Sequence, residues 1–566
     1  MLILGVSAPK RDASAALLSE RGIEAAIEES KVGRSRACAG VPVLALQTCL
    51  DQAHENWKQV PLVALASRPR HSHLKQAWLR IRSTPVDLIA SVFSRSSAQG
   101  AEGSGLSARR VLRELTNGSH ASIVCFEHQL CHAASAFYAS PFDRALILTL
   151  DEQGDGVSGT VSLGEGNRIR TLQSMPLPHS VGRVYSQITS LIGFVPRLDE
   201  HKTQWLSLQG DADFKDVFLQ MLRGSSNGSF RLDLSYFDRD PSRQSGFSDK
   251  FYRRLGFASS NAMDLREGLA PQIACSLQQA CSAVLSDFLE KWRVRTRAKY
   301  LCLAGGVFLN VLLVSELESG QFDEVFVQPA SGNAGGALGA AWLAWHQLLG
   351  NTRQKPLSHV YLGPSFSPAQ TKEVLDNCKA PYRWFRTDSE RNSETIRLLE
   401  AGKIVAWYQG ATEFGPRALG NRSLLASPWA PFVRENLNDY IKHREHFRPF
   451  ALSVAAEDSA RYFDCSPQAR FMTSIATAKP AARELIRDFL LPGNRVRLHA
   501  VHREVNPAFW QLLKEFGERS PAPLLVNASF NLFGEPLVNS PRDAVRSFYC
   551  SGVDVLVMGG FMVLKR

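Results

Sequence analysis

One local pattern occurs twice in the sequence: an apolar run, a short polar turn and a second apolar run. The runs "LILGVS" and "ASAALLS" flank a turn at residues 8–12, and "ALILTLDEQGDGVSGTVSL" repeats the arrangement at residues 145–163. Short apolar runs bounded by Gly, Pro and Asp are typical of paired β-strands. The repetition favours an internally duplicated α/β fold, although two unrelated hairpins would give the same pattern.

Two glycine-rich turns later in the chain favour a nucleotide-binding cleft. An amphipathic helix is predicted over residues 268–293, and the apolar run "YLCLAGGVFLN" that follows contains a Gly pair. The segment "PASGNAGGALGAAWLAW", residues 329–345, places a second such turn at the start of a small-residue helix. Glycines let a ligand approach the backbone, and the amides at a helix start bind phosphate. The predicted nucleotide-binding positions are Gly305, Gly306, Asn310, Gly332 and Gly335.

The chain is long enough for two or more domains, since a single hydrophobic core stops growing near about 250–300 residues. It has 566 residues, of which 44% are hydrophobic. The segment "HQLLGNTRQKPLSHVYLGPSFSP" after Trp345 is polar and rich in Gly and Pro, as domain boundaries often are. We place the boundary near residues 350–360, between an N-terminal domain of residues 1–350 and an α/β C-terminal domain of residues 351–566.

The net charge of +11 permits an acidic partner. The lysines and arginines are spread along the chain, however, and the densest zone is confined to residues 67–85. A solvated surface explains that zone better than a polyanion site, so nucleic acid is not the expected partner. Small anionic substrates would explain the positive balance equally well, because buried phosphate sites need arginine and lysine.

The sequence has no segment typical of a membrane or secreted protein. No stretch approaches the ~20 consecutive apolar residues of a membrane span, and the N-terminus lacks the basic and apolar regions of a signal peptide. The ten cysteines contain no C-x-x-C pair, which suggests reduced thiols. We therefore expect a cytoplasmic protein. The Ser- and Gly-rich residues 94–105 are expected to form a surface loop.

The segment "EHQLCHAASAFYASPFDRALILTLDEQGDG", residues 127–156, combines two histidines with a strand that ends in an aspartate. On a helix, His128 and His132 would share a face with their Cβ atoms about 5–6 Å apart, which suits one metal ion. Asp151 could reach the same ion from the end of the strand. A zinc-protease motif is excluded, because residue 129 is Gln where that motif needs a glutamate. Ordinary helix or core histidines remain the alternative.

The C-terminal half adds the segments "FGPRALGNRSLLASP", "YIKHREHFRPFALS" and "LLVNASFNLFGEPLV". Six cations of this half lie near Gly, Pro and aromatic residues: Arg417, Arg422, Lys442, Arg444, Arg448 and Arg497. Guanidinium groups match phosphate or carboxylate in a bidentate way, so a buried anion pocket is predicted. Surface salt bridges would explain Arg444 and Glu445 about as well.

Six motifs together resemble the O-carbamoyltransferases of antibiotic and nodulation-factor biosynthesis. They are "DASAALL", "HQLCHAASAFYASPFD", "LAGGVFLN", "EFGPRALGNRS", "FRPFALSV" and "NASFNLFGEP", in the order in which the family has them. The resemblance extends from residue 2 almost to the C-terminus. It implies an actin-like (sugar-kinase/Hsp70-type) duplicated N-terminal domain, followed by a YrdC-like α/β C-terminal domain.

The resemblance also implies the chemistry and the residues that perform it. Carbamoyl phosphate and ATP would give carbamoyl adenylate in the C-terminal domain, and the N-terminal domain would pass the carbamoyl group to a hydroxyl of a small natural product or sugar. This splits one difficult acyl transfer into two easier steps. The implied catalytic residues are Asp12, Arg417, Lys442 and Arg448. The implied substrate-binding residues of the C-terminal pocket are Arg36, Arg422, Arg497, Ser529 and Asn531. The implied metal positions are His128, His132, Asp151 and Asn333, for a divalent ion expected to be Fe²⁺, with Mg²⁺ accompanying ATP.

Three positions depart from the family pattern. Asn333 stands where the family usually has an aspartate ligand, and a neutral amide oxygen is the only ligand it offers. Arg11 stands in the place of the usual histidine before Asp12, and "DEHKTQWLSLQG" at residues 199–210 replaces the more frequent Gly-Glu-Tyr-Lys. A nucleotide-binding protein with impaired transfer is the alternative if Arg11 and Asn333 disable transfer. A tRNA-modifying transferase is a second alternative, which the basic charge permits and the absence of a recognisable RNA-binding module disfavours.

Overall fold

The computed structural model describes residues 1–9, 11–36, 38–67, 105–116, 120–224, 230–238, 246–257 and 268–565. The predictions for most of the basic zone, residues 68–85, and for the loop at residues 94–104 lie outside these ranges. The chain forms two compact units. The first contains Met1–Gly22, Ala39–Leu46 and Glu55–Pro356, and the second contains Ile23–Cys38, Gln47–His54 and Leu357–Arg566.

The described secondary structure is numbered in chain order. The strands are β1 (Ile3–Ser7), β2 (Ser14–Ser19), β3 (Gly22–Glu28), β4 (Leu62–Ala66), β5 (Ser122–Phe126), β6 (Arg144–Gly154), β7 (Val157–Glu165), β8 (Arg168–Pro176), β9 (Leu222–Gly224), β10 (Phe230–Leu232), β11 (Tyr300–Ala304), β12 (Glu324–Val327), β13 (Tyr382–Trp384), β14 (Val405–Tyr408), β15 (Arg422–Ala426), β16 (Ala451–Ala455), β17 (Phe463–Asp464), β18 (Ala476–Ala478), β19 (Arg495–Val501), β20 (Leu524–Ser529), β21 (Val555–Met558) and β22 (Phe561–Leu564). The α-helices are α1 (Glu29–Gly33), α2 (Val43–Gln52), α3 (Gly105–Leu115), α4 (His128–Phe137), α5 (Val181–Leu191), α6 (Glu200–Leu206), α7 (Lys215–Met221), α8 (Asp249–Arg254), α9 (Ala270–Thr296), α10 (Val311–Glu318), α11 (Gly335–Leu343), α12 (Pro368–Asn377), α13 (Asp388–Glu400), α14 (Val433–Glu435), α15 (Ala456–Tyr462), α16 (Pro480–Arg483), α17 (Pro507–Gly517) and α18 (Pro541–Tyr549). Short 3₁₀ turns occupy Trp57–Gln59, Ser207–Gln209, Leu234–Tyr236, Gly306–Leu309, Pro467–Arg470 and Arg487–Phe489, and π-helical turns occupy Ala344–Leu348 and Asn436–Lys442.

The first unit contains the same strand order twice. Its first sheet orders four strands as β2-β1-β4-β5, and its second orders β7-β6-β11-β12 with β8 beyond β7. In each sheet the first two strands in sequence are antiparallel, and the later two run parallel to the first of them. This repeated order confirms the internal duplication that the two hairpin patterns predicted.

A small-residue helix packs between the two halves of the first unit. Helix α11 lies so close to its neighbours that a Cβ on Gly339 would overlap the backbone oxygen of Cys131 in α4, and a Cβ on Gly5 in β1 would overlap the oxygen of Ala337. Such close contact is possible because α11 is rich in Gly and Ala. The helix α9 predicted from its apolar spacing is also present, and Ile273, Leu277 and Phe288 belong to its buried face.

The second unit is built on one mixed sheet of ten strands in the order β13-β22-β21-β14-β15-β20-β16-β19-β18-β17. Its central strands are almost entirely buried, and helices such as α13, α17 and α18 supply further apolar side chains to its cores. Strand β16 pairs in parallel with β19 and antiparallel with β20, while β15 pairs antiparallel with β20. The mixed α/β class predicted for this part of the chain is therefore present.

The compact units do not divide the chain into the two continuous segments 1–350 and 351–566 that we expected. The change near residue 356 falls within the predicted interval, but residues 23–38 and 47–54 belong to the second unit. The reason is a set of long-range contacts, including a hydrogen bond of 2.8 Å from the Ala26 amide to the Leu362 carbonyl oxygen. Local composition does not report such pairings.

Two further expectations concern the chain as a whole. Among the described residues, no helix combines the length and the apolar character that a bilayer crossing requires. All ten cysteines are free thiols, as their spacing predicted.

Candidate functional site

A cluster of two histidines and one aspartate lies in the first unit. The Nε2 atoms of His128 and His132 are 3.0 Å apart, and they lie 3.1 and 3.2 Å from Oδ2 of Asp151. Both histidines belong to helix α4, and His132 is fully buried. Among the described residues, these three form the group of His, Cys, Asp and Glu side chains arranged to hold a metal ion.

The local fold explains why the three atoms converge. The pairing of β6 with β7 is irregular between Leu150 and Gly154, and a bulge of this kind changes the direction of the intervening side chains, here including Asp151. A Cβ on Gly154 would overlap the ring of His128, so a larger residue there would displace that imidazole. The His128 amide also donates to Oδ2 of Asp155 at 2.9 Å, which holds the start of α4 beside the turn after β6.

The charges of the cluster are strongly coupled. Burial disfavours protonation of His128, but the hydrogen bond and charge of Asp151, with Asp155 nearby, raise the pKa of His128. Burial and the adjacent His128 lower the pKa of His132, although the hydrogen bond to Asp151 opposes the shift. Burial would raise the pKa of Asp151, yet hydrogen bonds from both histidines hold it well below its usual range. The aspartate is therefore held in its anionic form beside the two imidazoles.

The donor set fits a divalent metal ion. Two imidazole nitrogens and one carboxylate oxygen, mutually 3.0–3.2 Å apart, can all lie about 2.0–2.2 Å from a single cation. Two histidines with one carboxylate are the ligands of many non-haem Fe²⁺ sites. One supporting contact is missing, because Nδ1 of His132 is buried and has no hydrogen-bond partner among the described residues. Metal-binding imidazoles usually donate from that second nitrogen.

Asp12 and Asn333, the other residues predicted for the transfer site, lie on neighbouring turns. Asp12 follows β1 in a left-handed conformation, and its Oδ2 is 3.9 Å from the position that a Cβ on Gly332 would occupy. The Asn333 side-chain amide donates to the backbone oxygen of Arg11 at 3.3 Å. The structure therefore pairs the two departures Arg11 and Asn333, and a ligand role for Asn333 stays a prediction.

The remaining residues predicted to bind nucleotide in the first unit, Gly305, Gly306, Gly335 and Asn310, pack against or hydrogen-bond to other parts of the protein. The close approach at Gly305 is to the backbone of Leu150, and the one at Gly335 is to the carbonyl oxygen of Ala330. Gly306 faces Asp151, since its Cβ would lie 3.2 Å from Oδ1. Asn310 caps helix α10, where its Oδ1 accepts from the Leu313 amide at 3.0 Å. An asparagine directly before an apolar helical run is a recognisable cap signal, and the sequence interpretation missed it.

The second unit contains a buried lysine beside two residues of the predicted anion pocket. Lys442 ends the π-helical turn Asn436–Lys442, and its ammonium group donates to Oδ1 of Asn531 at 2.9 Å and to the backbone oxygen of Asn531 at 3.0 Å. It also donates to the backbone oxygen of Ser529. The Ser529 hydroxyl donates to Asn531 Oδ1 at 2.7 Å. Lys442, Ser529 and Asn531 are thus brought together as predicted.

The arginines around this lysine repel one another. Burial and the charge of Arg448 lower the pKa of Arg417 to about 10 and that of Arg444 to about 9. Burial, followed by Arg417, Arg444 and Arg448, holds the pKa of Arg497 well below its usual range. Glu445, which is 3.7 Å from Arg448, opposes the shift at Arg444. Lys442, which is buried, and four partly buried arginines thus lie within electrostatic range of one or more of their neighbours in this pocket.

The sheet of the second unit assembles the pocket from distant segments. Arg497 of β19 pairs with Ala451 of β16, which follows Arg448 by three residues, and Nη1 of Arg497 donates to the Pro449 oxygen at 3.4 Å. Ser529 is the last residue of β20. Arg497 and the segment that carries Arg448 therefore lie at one end of neighbouring strands.

Two other predicted residues of this region have different surroundings. Arg422 is fully buried, and it donates to the backbone oxygens of Gln409 at 2.5 Å and Gly410 at 3.1 Å. Its guanidinium also lies 3.7 Å from the centroid of the Tyr408 ring. These contacts join the Arg422 guanidinium to protein groups, and its substrate-binding role stays a prediction. Arg36 is exposed, and its Nε and Nη2 donate to the Glu535 backbone oxygen at 3.2 and 3.0 Å.

The sequence interpretation missed Glu28, Lys31 and Glu413, which are all buried in the second unit. Lys31 forms an ion pair of 2.9 Å with Glu28 and donates to the backbone oxygen of Glu413. A Glu and a Lys three residues apart are frequent on helix surfaces. No local signal distinguishes this buried pair from an exposed one.

Comparison with known proteins identifies the relatives of this chain. Residues 2–342 match the family profile described as carbamoyltransferase N-terminus, and residues 396–565 match the profile described as carbamoyltransferase C-terminus. Nodulation protein NolNO of Sinorhizobium fredii is 31% identical over 569 residues, which cover 98% of this chain and 79% of that protein. The 3'-hydroxymethylcephem-O-carbamoyltransferase of Amycolatopsis lactamdurans is 28% identical over 579 residues, with 99% and 98% covered. Nodulation protein NolO of Bradyrhizobium diazoefficiens is 33% identical over 450 residues, with 78% and 79% covered.

Proposed function

The chain belongs to the carbamoyltransferase family and is a carbamoyltransferase, and we propose that it uses ATP and carbamoyl phosphate to carbamoylate a hydroxyl group of a small molecule. The observation that carries this proposal is the group of mutually repelling cations in the second unit, in which Lys442 is buried and Arg417, Arg444, Arg448 and Arg497 are partly buried. Like charges withdrawn from water in this way are stabilised when a multiply charged anion binds among them. Triphosphate and carbamoyl phosphate both supply such charge.

The first reaction is assigned to this pocket. Carbamoyl phosphate, ATP and one water give carbamoyl adenylate, pyrophosphate and inorganic phosphate. Arg417, Arg448 and Arg497 neutralise the phosphate oxygens, and Lys442 holds the phosphate at which the bond to pyrophosphate breaks. Charge neutralisation and proximity are the main sources of rate acceleration for such reactions. Ser529 and Asn531 orient the Lys442 ammonium group through the hydrogen bonds described above.

The second reaction is assigned to the first unit. His128, His132 and Asp151 would hold a divalent ion, which we propose is Fe²⁺, while Mg²⁺ accompanies ATP. A metal ion at this place supplies positive charge that stabilises phosphate and polarises a carbonyl oxygen. Asp12 lies on the turn beside Gly332, where it accepts the proton that the acceptor hydroxyl loses as it attacks the carbamoyl carbon. The bond from the carbamoyl carbon to AMP breaks, and AMP leaves.

The fold names of the two units and the kind of acceptor are part of the same proposal. The duplicated strand order is consistent with an actin-like N-terminal domain, and we propose a YrdC-like C-terminal domain on the motifs that carry Arg417, Lys442 and Arg497. One relative is named for a hydroxymethyl cephem acceptor, and two are named as nodulation proteins. A hydroxyl of a small natural product or sugar is the acceptor class we propose, and the cytoplasm, where ATP is available, is the proposed location.

Isotope exchange tests the proposal. The purified protein is incubated with ATP and labelled pyrophosphate, with and without carbamoyl phosphate, and the label entering ATP is counted. Exchange that depends on carbamoyl phosphate is the expected result. A folded protein that gives no exchange at any carbamoyl phosphate concentration would contradict the adenylate route. Mass spectrometry of candidate hydroxyl compounds then identifies the acceptor by the added carbamoyl group.

A further inference from the structure

A short N-terminal segment contacts two loops of the cation pocket, although it is almost 400 residues away from the first of them in sequence. The segment is Glu28–Arg36, which includes helix α1 and belongs to the second unit. The first loop, residues 413–422, carries Arg417. The second loop, residues 530–538, follows Ser529 and carries Asn531.

Lys31 and Glu28 hold the start of the first loop. The Lys31 ammonium group donates to the backbone oxygens of Glu413 at 2.6 Å and Gly415 at 2.7 Å. Glu28 accepts from Lys31 at 2.9 Å and from the Gly415 amide at 2.8 Å. Both side chains are nearly inaccessible to solvent, at 6% and 8% exposure. The pair therefore binds the donor and acceptor groups of the loop at the same time.

Glu413 holds the other end of the same loop. One of its carboxylate oxygens accepts three backbone amides, from Leu419 at 2.8 Å, Asn421 at 2.9 Å and Arg422 at 3.1 Å. The residue is completely buried. Charged acceptors of this kind form hydrogen bonds about twice as strong as neutral ones. Arg417 therefore lies on a loop that is fixed on both sides.

Arg34 and Arg36 hold the second loop. Arg34 donates to the Leu537 oxygen at 2.5 Å and forms ion pairs of 3.3 Å with Glu535 and 3.4 Å with Asp543. Arg36 donates to the backbone oxygen of Glu535. That same oxygen accepts from the Asn531 side-chain amide at 2.8 Å. The contacts of the segment thus extend to a residue that directly binds Lys442.

We propose that Glu28–Arg36 is a positioning element of the anion pocket, in which Lys31, Glu28 and Arg34 fix the loops that present Arg417 and Asn531. The inference rests on the proposed function of that pocket. The pocket needs such an element because its cations repel one another and would move apart if their loops were free. The Lys31 ammonium group donates hydrogen bonds to backbone oxygens of the first loop. It therefore takes the place of water molecules that would otherwise donate to those oxygens.

The decisive variants remove charge and preserve volume. Lys31→Met deletes the two loop contacts of the ammonium group, and the Glu28→Gln/Lys31→Met double variant also removes the buried charge that would be left without its partner. Arg34→Met tests the second loop. Arg391→Met is the matched control, because Arg391 is a buried cation of the same unit whose hydrogen bonds go to Asp388, Asn392 and Gly559.

Four quantities are measured for each protein: the melting temperature, the affinity for pyrophosphate by calorimetry, and the KM and kcat of carbamoyl-phosphate-dependent exchange. A displacement of about 1 Å at a reacting group costs on the order of 100-fold in rate. We expect Lys31→Met and the double variant to lose roughly 10- to 100-fold in kcat/KM, with a higher KM for carbamoyl phosphate and weaker pyrophosphate binding. We expect a smaller loss of the same kind in Arg34→Met. Arg391→Met should lower the melting temperature without changing KM or pyrophosphate affinity.

The outcomes separate this inference from the proposed function. If the folded double variant keeps the wild-type KM and pyrophosphate affinity, the positioning role is wrong, and this comparison stands even if Lys31→Met does not fold. If Arg391→Met raises KM as much as Lys31→Met does, the effect is general destabilisation and the inference is also wrong. If the wild type gives no exchange, the proposed function fails, while pyrophosphate affinity across the variants still tests the positioning element.

Discussion

The two candidate sites differ in the signs of the charges that they bring together. In the first unit, Oδ2 of Asp151 lies 3.1–3.2 Å from the Nε2 atoms of His128 and His132, so a carboxylate and two imidazoles stabilise one another. In the second unit, arginines lie beside the buried Lys442, and burial followed by the neighbouring cations lowers the pKa values of Lys442 and Arg497. The first arrangement is stable around a small cation or a proton. The second favours an anion among its cations, and this difference is why we propose a metal site in the first unit and a phosphate site in the second.

The two sites also differ in how the chain builds them. His128 and His132 share one turn of α4, and Asp151 follows within 19 residues of His132. The cation pocket combines strands, a π-helical turn and an N-terminal segment, and the contacts of Lys31 with the first loop bridge 382 and 384 residues. A site made of local contacts tolerates movement elsewhere, whereas the pocket depends on the fold of its whole unit.

The largest predicted effect separates the sites by their chemistry. Lys442→Met and Arg417→Met should each lower carbamoyl-phosphate-dependent exchange by about 100- to 1000-fold, or roughly 2.7–4 kcal/mol, because phosphate charge loses a fixed partner. His132→Gln should retain exchange and lose carbamoylated product. Pyrophosphate release and product are followed side by side in all three variants after circular dichroism has shown that each is folded. Loss of exchange in His132→Gln equal to that in Arg417→Met would mean that the sites act as one.

The second effect concerns metal content. The His128→Ala/His132→Ala double variant should lose at least about 100-fold in affinity for Fe²⁺, since even outer contacts of a metal site are worth 10- to 100-fold. Its affinity for pyrophosphate should equal that of the wild type. Elemental analysis and anaerobic titration measure the first quantity, and calorimetry measures the second. Equal metal content in the two proteins would contradict the assignment of the cluster.

The same contrast explains what the sequence could predict. His128 and His132 could be paired because their spacing alone places them on one helix face. Arg417, Lys442 and Arg497 can be singled out by their Gly, Pro and aromatic neighbours, and the structure places each of them within electrostatic range of Arg448. Arg422 has similar neighbours but binds backbone oxygens of the protein. Flanking residues cannot tell an arginine that binds substrate from one that satisfies buried carbonyl groups.

Long-range pairing was the part that could not be predicted. Lys31 and Glu28 read as an ordinary solvated pair, and only the fold shows that their partners are Glu413 and Gly415. The same pairing moves residues 23–38 into the second unit. Local patterns specify strands and turns, whereas tertiary contacts decide which buried polar groups meet.

The third effect is a pH dependence confined to the cation pocket. Burial, together with Arg444, Arg448 and Arg36, holds the pKa of Lys442 well below its usual range. Because the folded state favours the neutral amine, the unfolded chain binds more protons between the lowered pKa and the ordinary value of about 10.4. The stability of the anion-free protein should therefore rise with pH across that window.

Pyrophosphate binding should show the opposite trend. Binding favours the charged amine, so the affinity should fall by up to about tenfold per pH unit over the same window. In Lys442→Met this slope should be smaller, although binding is weaker at every pH. Calorimetric titrations at a series of pH values measure both proteins, and identical slopes would show that another group titrates.

The smallest predicted effect is a change at Asn333 that tests the limits of the metal site. An amide oxygen is a weaker ligand than a carboxylate for such a cation, so Asn333→Asp should tighten Fe²⁺ binding. The gain should be only a few-fold, because the new carboxylate replaces an amide that donates to the Arg11 backbone oxygen at 3.3 Å and would itself repel that oxygen. Asn333→Ala is the matched control, since it removes the same hydrogen bond without adding charge. Anaerobic Fe²⁺ titrations of the wild type and both variants measure the effect.

Tighter binding in Asn333→Asp alone would place residue 333 within reach of the ion held by His128, His132 and Asp151. Equal affinities in all three proteins would confine the ligands to that cluster, and the pairing of Asn333 with Arg11 would then be its structural role.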